Sequence, residues 1–245
     1  MRNLVLCAFT IVFISSKSIG QIVEPSSVVE KNILQLELET LYSIEKKASQ
    51  KTTSWDIPNI LIRYGLSDNI ELQLHTPFTK ERYFEYNELT TNIFKFEEGE
   101  FGISINLWGQ NKFLPETAIM ARIVSSTNTL KFNELGNIVS LNFSNLVSKK
   151  LRLNYNIGTT TNIKKHTTGF YILNISYEPN SQVHYFLENS SDFTLNNVES
   201  NSLGMGFGLN LSNNLAMDFS ATRSLNHDMF STGVILTWAI NTKKQ

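Results

Sequence analysis

Apolar and polar side chains alternate along most of the chain after residue 32. In one such stretch Ile70, Leu72 and Leu74 share a face, and the positions between them are polar. A period of two is that of a β-strand, in which successive side chains point to opposite faces. The pattern recurs about twelve times and predicts an all-β fold. The alternating residues that mark the predicted strands fall within 33–44, 59–66, 70–78, 101–107, 115–124, 137–147, 150–159, 171–177, 183–188, 203–209, 215–221 and 229–240, and they locate the strand ends to within a few residues.

The connections between these strands alternate in length. Short turns fall at 67–69, 109–114, 148–149, 179–181 and 212–214. Longer polar segments fall at 45–56, 79–98, 125–136, 160–168, 189–200 and 223–228. Short turns on one rim and long loops on the other are typical of outer-membrane barrels. An even number of strands then puts both termini on the periplasmic side.

Three features favour a membrane barrel over a secreted soluble β-sandwich, which shares the alternation. The strands measure about nine to eleven residues, enough to cross a bilayer at a tilt, whereas soluble strands average about five or six. The polar face carries Arg, Glu, His and Asn at strand centres, which suits a wet lumen. Aromatic residues lie near strand ends on the apolar face, as in an aromatic girdle; they are Tyr42, Tyr64, Phe78, Trp108, Tyr177 and Trp238. We therefore predict a transmembrane antiparallel up-and-down β-barrel over residues 33–240, with a C-terminal tail at 241–245.

The first twenty residues have the pattern of a secretory signal peptide. Arg2 supplies a positive charge, and an apolar stretch of about eleven residues follows, too short for a membrane helix. Ser18 and Gly20 are the small residues that a signal peptidase requires before Gln21. We expect cleavage after residue 20, a periplasmic N-terminal segment at 21–32, and export to the outer membrane of a double-membraned bacterium.

Removal of the signal peptide changes the charge and the thiol content. Cys7 is the single cysteine, so the mature chain has no disulfide and no thiolate metal site. Loss of Arg2 and Lys17 leaves 19 basic against 22 acidic residues, a net charge of −3. No basic surface for nucleic acid is expected.

One hairpin resembles a known family. The segment Ile62-Arg-Tyr-Gly-Leu-Ser-Asp-Asn-Ile-Glu-Leu72 is similar to the R-Y-G-L-[ST]-D-x-[IL]-E-L hairpin of a transporter-like outer-membrane family named for the meta-pathway of phenol degradation. The similarity is strongest over about 55–80. It implies an outer-membrane barrel described as a transporter, and it implies no defined substrate.

The sequence lacks the motifs of the enzymatic alternative, an outer-membrane phospholipase. In such a phospholipase, a histidine in a His-x-Ser pair activates the catalytic serine. None of the four histidines of this chain is followed by x-Ser. His75 and His184 are isolated, whereas a metal site needs several convergent ligands. The run Gly204-x-Gly-x-Gly208 lies inside a strand pattern, so it predicts a bend in the wall or lumen side chains crossing close to the backbone, and not a nucleotide site. No catalytic residue, cofactor or metal is expected.

The remaining chemistry lies in the charged residues of the predicted inner face. The predicted lumen lining comprises Glu37, Arg63, Glu71, His75, Arg122, Arg152, His184 and Glu188. In a barrel of about twelve strands such charges either line a polar pore or fill the lumen as a salt-bridge network. We expect a narrow channel for small solutes, with a non-conducting structural or surface-binding barrel as the alternative. Expected partners are outer-membrane lipid, the barrel-assembly machinery during insertion, and a small-molecule solute.

Overall fold

The computed structural model describes residues 23–96, 98–126 and 134–243. The predicted signal peptide at 1–20 lies outside the described residues. Thirteen strands are found in the described ranges. They are β1 (Ile33–Lys47), β2 (Gln50–Gly65), β3 (Ile70–Glu85), β4 (Glu88–Phe96), β5 (Glu98–Trp108), β6 (Glu116–Ser126), β7 (Gly136–Ser148), β8 (Leu151–Thr161), β9 (Thr167–Tyr177), β10 (Val183–Phe193), β11 (Val198–Ser212), β12 (Leu215–Ser224) and β13 (Asp228–Asn241).

These strands close into one antiparallel barrel with twelve positions in its wall. Apart from β4 and β5, which both pair with β3, each strand pairs with its neighbours in sequence, and β1 pairs with β13 to complete the circle. The strand β3 pairs with β5 over Ile70–His75 and with β4 over Phe78–Glu85, so β4 and β5 together occupy one position. The predicted twelve-strand meander is confirmed. Among the described residues, no helix is long and apolar enough to span a membrane.

The outer wall is apolar and the interior is polar. On β5, Phe101 is 57% exposed, whereas Ser104, which points the other way, is 2% exposed. The same contrast separates Leu141 from Asn142 on β7 and Ile175 from its polar neighbours on β9. An apolar exterior around a polar interior reverses the arrangement of a soluble protein and is that of a membrane-spanning barrel. The alternation in the sequence therefore predicts the two faces correctly.

Several segments predicted as long loops form paired strands instead. The prediction is wrong at 45–56, where β1 and β2 continue to a turn at residues 48–49, and at 79–98, where β3 turns into β4. Tyr86 and Asn87 both have positive φ, as a two-residue type I′ hairpin turn requires. Polar and aromatic residues continue the strand pattern there without an apolar outer face. The wall is consequently taller on the side of β1 to β4 than elsewhere.

The glycines of β11 make room for side chains inside the barrel. A Cβ on Gly206 would lie 2.3 Å from Cζ of Phe186, and one on Gly208 would lie 2.1 Å from Cε1 of His184. Side chains from β10 thus cross close to the β11 backbone, as one of the two interpretations of this motif predicts.

Candidate functional site

The N-terminal residues 23–32, called the lumen segment below, cross the interior of the barrel. The amide of Val23 donates to Oε2 of Glu188 on β10 at 3.2 Å. Further along, the amide of Val29 donates to Oε2 of Glu71 on β3 at 2.7 Å, and Lys31 forms an isolated bridge with Gly65 on β2. The sequence predicts a periplasmic N-terminal segment at 21–32; in the structure, residues 23–29 of this segment bind side chains inside the barrel. The reason is a set of inward polar side chains that bind backbone groups between Val23 and Val29, where the segment has no strand partner.

Between these ends the segment is bound to the wall by amide side chains. The amide of Glu24 donates to Oδ1 of Asn156 at 2.7 Å, and Nδ2 of Asn156 donates back to the Glu24 carbonyl at 2.9 Å. The carbonyl of Ser26 accepts a hydrogen bond of 2.8 Å from Asn106. These partners lie on β8 and β5, so the segment passes from one side of the lumen to the other.

A buried ion pair fixes the far end of the segment. Arg63 donates from Nε and Nη2 to the two oxygens of Glu71, each at 2.9 Å, and the two side chains are 5% and 0% exposed. Glu37 lies 3.6 Å from the same guanidinium, and Gln73 donates to Glu71 at 2.6 Å. Glu71 also accepts the Val29 amide, so a single carboxylate binds the wall and the lumen segment together.

A second arginine binds the lumen segment near its N-terminal end, at Glu24. Arg122 on β6 donates to Glu24 of the lumen segment at 2.7 Å and to Glu100 on β5 at 3.3 Å. Its Nε donates to Gln73 at 2.7 Å, which links the two arginine clusters. Nδ1 of His75 lies 3.2 Å from Glu100. Most of the charged side chains in the lumen therefore form ion pairs with one another.

Arg152 differs from the other two arginines because its partners are weak. Its Nη1 donates to Ser144 at 3.1 Å, and its Nε lies 3.9 Å from a carboxylate oxygen of Glu178, whose side chain is 43% exposed. Nε is buried and donates no hydrogen bond. The side chain faces a cavity of about 890 Å³ at the rim that carries the short turns. The lumen segment forms one side of this cavity, called the vestibule below, through Val23, Pro25 and Ser26–Glu30.

All eight side chains of the predicted lumen lining lie on the inner face. His184 has Nε2 2.8 Å from Oδ1 of the fully buried Asp218, and Glu188 accepts hydrogen bonds from Val23 and Asn174. The others take part in the clusters described above. Whether these side chains line a conducting path stays a prediction.

Two acidic partners, Glu24 and Glu100, are not among the predicted lining residues. Glu100 is an even-numbered residue of β5, like the inward-facing Ser104 and Asn106. Extending the predicted strand back to residue 100 would have placed its side chain inside the barrel. Glu24 carries no comparable signal, since the lumen segment has no regular period.

The described residues show no assembled catalytic or metal centre. No group of three His, Cys, Asp or Glu residues converges within the described ranges. In the same part of the chain, no serine or threonine hydroxyl bonds to a histidine ring; the ring of His75 bonds to Asn59, and those of His166 and His227 bond to Glu199.

Comparison with solved structures identifies similar barrels. The chain is similar to an outer-membrane channel from Pseudomonas putida F1, with a TM-score of 0.66 and 8% identity over 89% of this chain and 100% of that one. It is similar to the KdgM porin in complex with disordered oligogalacturonate, with a TM-score of 0.54 and 8% identity over 82% and 98% of the two chains. For the NanC porin the TM-score is 0.50, with 8% identity over 83% and 98%. At this identity the likeness shows the shared barrel fold.

No protein-family profile and no curated relative matches the chain.

Proposed function

We propose that the protein is an outer-membrane channel for small solutes, narrowed by its own N-terminal segment. The observation that carries this proposal is the lumen segment itself, which crosses a polar interior and is bound there by separate side chains. Outer-membrane lipid surrounds the apolar wall, and the barrel-assembly machinery inserts the chain. The resemblance of residues 62–72 to the phenol meta-pathway family supports a transporter, for a small polar or aromatic solute.

The lining suits a path for water and solutes. Asn142, Asn156, Asn174 and Gln73 point inward and are each at most 2% exposed, so the lumen segment and neighbouring side chains cover them in this structure. Burying an amide side chain costs free energy unless the amide finds a hydrogen-bond partner. If the barrel had a structural role alone, apolar side chains in the lumen would make it more stable. A polar lining is instead what a hydrated lumen requires.

The segment is attached so that it can leave without opening the wall. Between Val23 and Val29 its amide and carbonyl bonds, to Glu188, Asn156, Asn106 and Glu71, join it to side chains; only at Lys31 and Asn32 does it bond to the backbone of β2, at Gly65. Each such bond contributes about 0.5–1.5 kcal/mol net, and more where a carboxylate accepts. Detachment from the wall therefore costs much less than unfolding of the barrel.

The vestibule gives the channel an electrostatic preference. Arg152 is the lumen arginine with the weakest ion pair, and it faces the vestibule. A positive charge in a cavity with low-dielectric walls attracts anions and repels cations. The carboxylates of Glu30, Glu116 and Glu178 line the same cavity, so we infer that the balance between Arg152 and these groups sets its preference between anions and cations.

The pairing of the other charges supports a second function. Arg63 and Arg122 are held in ion pairs with Glu71, Glu24 and Glu100, and the segment adds further contacts. A lumen filled in this way also fits a barrel with a structural or surface-binding role and no transport.

Planar-bilayer recording of the purified, folded protein separates the two functions. The channel proposal expects conductance in the wild type, and a shift of ion selectivity towards cations in Arg152→Glu. Arg223→Glu is the matched control, because Arg223 is 56% exposed, is bound to Asp228, and lies on the outer face. A wild type that inserts and folds but never conducts would support the structural barrel and reject the channel.

A further inference from the structure

The tall part of the wall carries an unpaired basic surface on its outward face. Registers across β1 to β4 place Lys46 opposite Lys51, Lys51 opposite Phe84, Arg82 opposite Asn92, and Lys80 between Trp55 and Phe94. Lys46, Lys51, Lys80 and Arg82, the basic patch below, therefore occupy neighbouring outward positions in three successive rows. None of the four forms an ion pair with a described residue.

The acidic residues of the same strands point to the other face. Residues of odd number on β1 and β3, such as Glu45 and Glu81, share the inward face with Gln35 and Glu71. Glu81 there binds Lys95 at 2.9 Å. On the outward face, the acid in register with Lys46 is Asp228, which is bound to Arg223 at 2.7 Å. The patch thus keeps a net positive charge.

An aromatic cluster lies at the base of the patch. The rings of Tyr42 and Trp55 lie 4.5 Å apart, and those of Phe78 and Phe96 lie 4.6 Å apart. Phe94, which neighbours Lys80, is 68% exposed. Aromatic side chains on the lipid-facing wall mark the level of the headgroups. The patch begins at this level and extends away from the apolar wall.

The dimensions fit a phosphorylated headgroup. From Lys80 to Phe84 the extended strand rises about 14 Å at roughly 3.4 Å per residue, and adjacent strands lie about 4.8 Å apart. Lys51 also lies over the ring of Phe84 at 5.4 Å, so its ammonium is held at the surface. Several cations within such an area match several phosphate oxygens better than a single free anion.

We infer that the basic patch binds the phosphate groups of a glycolipid in the membrane leaflet at the β3–β4 rim. The acyl chains of the lipid pack against the apolar wall below the patch. The aromatic cluster contacts the junction between the acyl chains and the headgroup. The inference does not depend on whether the lumen conducts.

Titration of lipid A, a phosphorylated glycolipid, into the folded protein in neutral detergent tests this, with native mass spectrometry to count bound lipid. A cation near an anionic lipid surface contributes about fivefold in affinity, so Lys80→Gln with Arg82→Gln is expected to weaken binding about 25-fold. Removal of the phosphates from lipid A is expected to weaken binding to the wild type by at least as much.

Lys149→Gln with Lys150→Gln is the matched control, since these two exposed lysines lie in the turn at the opposite rim. It is expected to leave binding unchanged. Arg82→Gln alone, at an exposed position, keeps the test valid if the double variant folds poorly. Equal binding by wild type and patch variants overturns the inference. So does displacement of lipid A by equimolar inorganic phosphate, which would show a site for the free ion.

Discussion

Glu71→Gln tests the buried cluster that joins the lumen segment to the wall. Glu71 is 0% exposed and accepts hydrogen bonds from Arg63, Gln73 and the amide of Val29. Glutamine keeps the size of the side chain but removes its charge. Arg63, itself 4% exposed, then keeps Glu37 at 3.6 Å as its acidic partner. Breaking a buried ion pair costs about 3–5 kcal/mol, and because Glu37 remains we expect the lower end, about 3 kcal/mol.

The assay is urea unfolding of the protein refolded into lipid vesicles, followed by tryptophan fluorescence. Glu178→Gln is the matched control, because this carboxylate lies 3.9 Å from Arg152 and is 43% exposed. An exposed pair of this kind contributes less than about 1 kcal/mol. Joint replacement of Arg63 and Glu71 by Met is expected to recover only part of the loss, because Glu37 then lacks the guanidinium 3.6 Å away and the Val29 amide lacks its acceptor. Equal effects of the Glu71 and Glu178 substitutions would refute the buried cluster.

Three further outcomes follow from other parts of the chain. Gly206→Val is expected to lower stability by about 2 kcal/mol or more, because its Cβ meets Phe186 and the carbonyl of Phe219 at 2.1 Å, whereas Gly99→Ala, with nothing within 4 Å, is expected to be neutral in the same unfolding assay. Single cysteines at Asn87 and Asn197 are expected to react with an impermeant thiol reagent on intact cells, and cysteines at Asp68 and Asn213 are not; the opposite result would invert the orientation. N-terminal sequencing of the membrane protein is expected to begin at Gln21, and a retained Met1 would contradict the signal peptide.

Alternation along the sequence is sufficient to predict the barrel wall and its faces. Leu72 and Leu74 point outward and Glu71 and Gln73 point inward, because successive side chains of a β-strand lie on opposite faces of the sheet. The place of the lumen segment could not be predicted in this way. Val23 meets Glu188, which lies 165 positions away, and that contact depends on the closed barrel and not on any local pattern. The length of the hairpins was also missed, since residues such as Lys51 and Arg82 continue a strand without an apolar face.

The central claim is that the lumen segment, and not the wall, sets the width of the lumen. A Cβ on Gly65 would lie 2.0 Å from the carbonyl oxygen of Glu30 and 2.5 Å from that of Val29, so Gly65→Ala has to push the segment away from β2 while it leaves the wall unchanged. Single-channel recording in planar bilayers then measures the effect directly, with Gly99→Ala as the matched control. We predict a several-fold higher conductance for Gly65→Ala, and a larger rise for a chain that lacks residues 23–30. Identical conductance in the wild type and both variants, with all three folded, would contradict the claim.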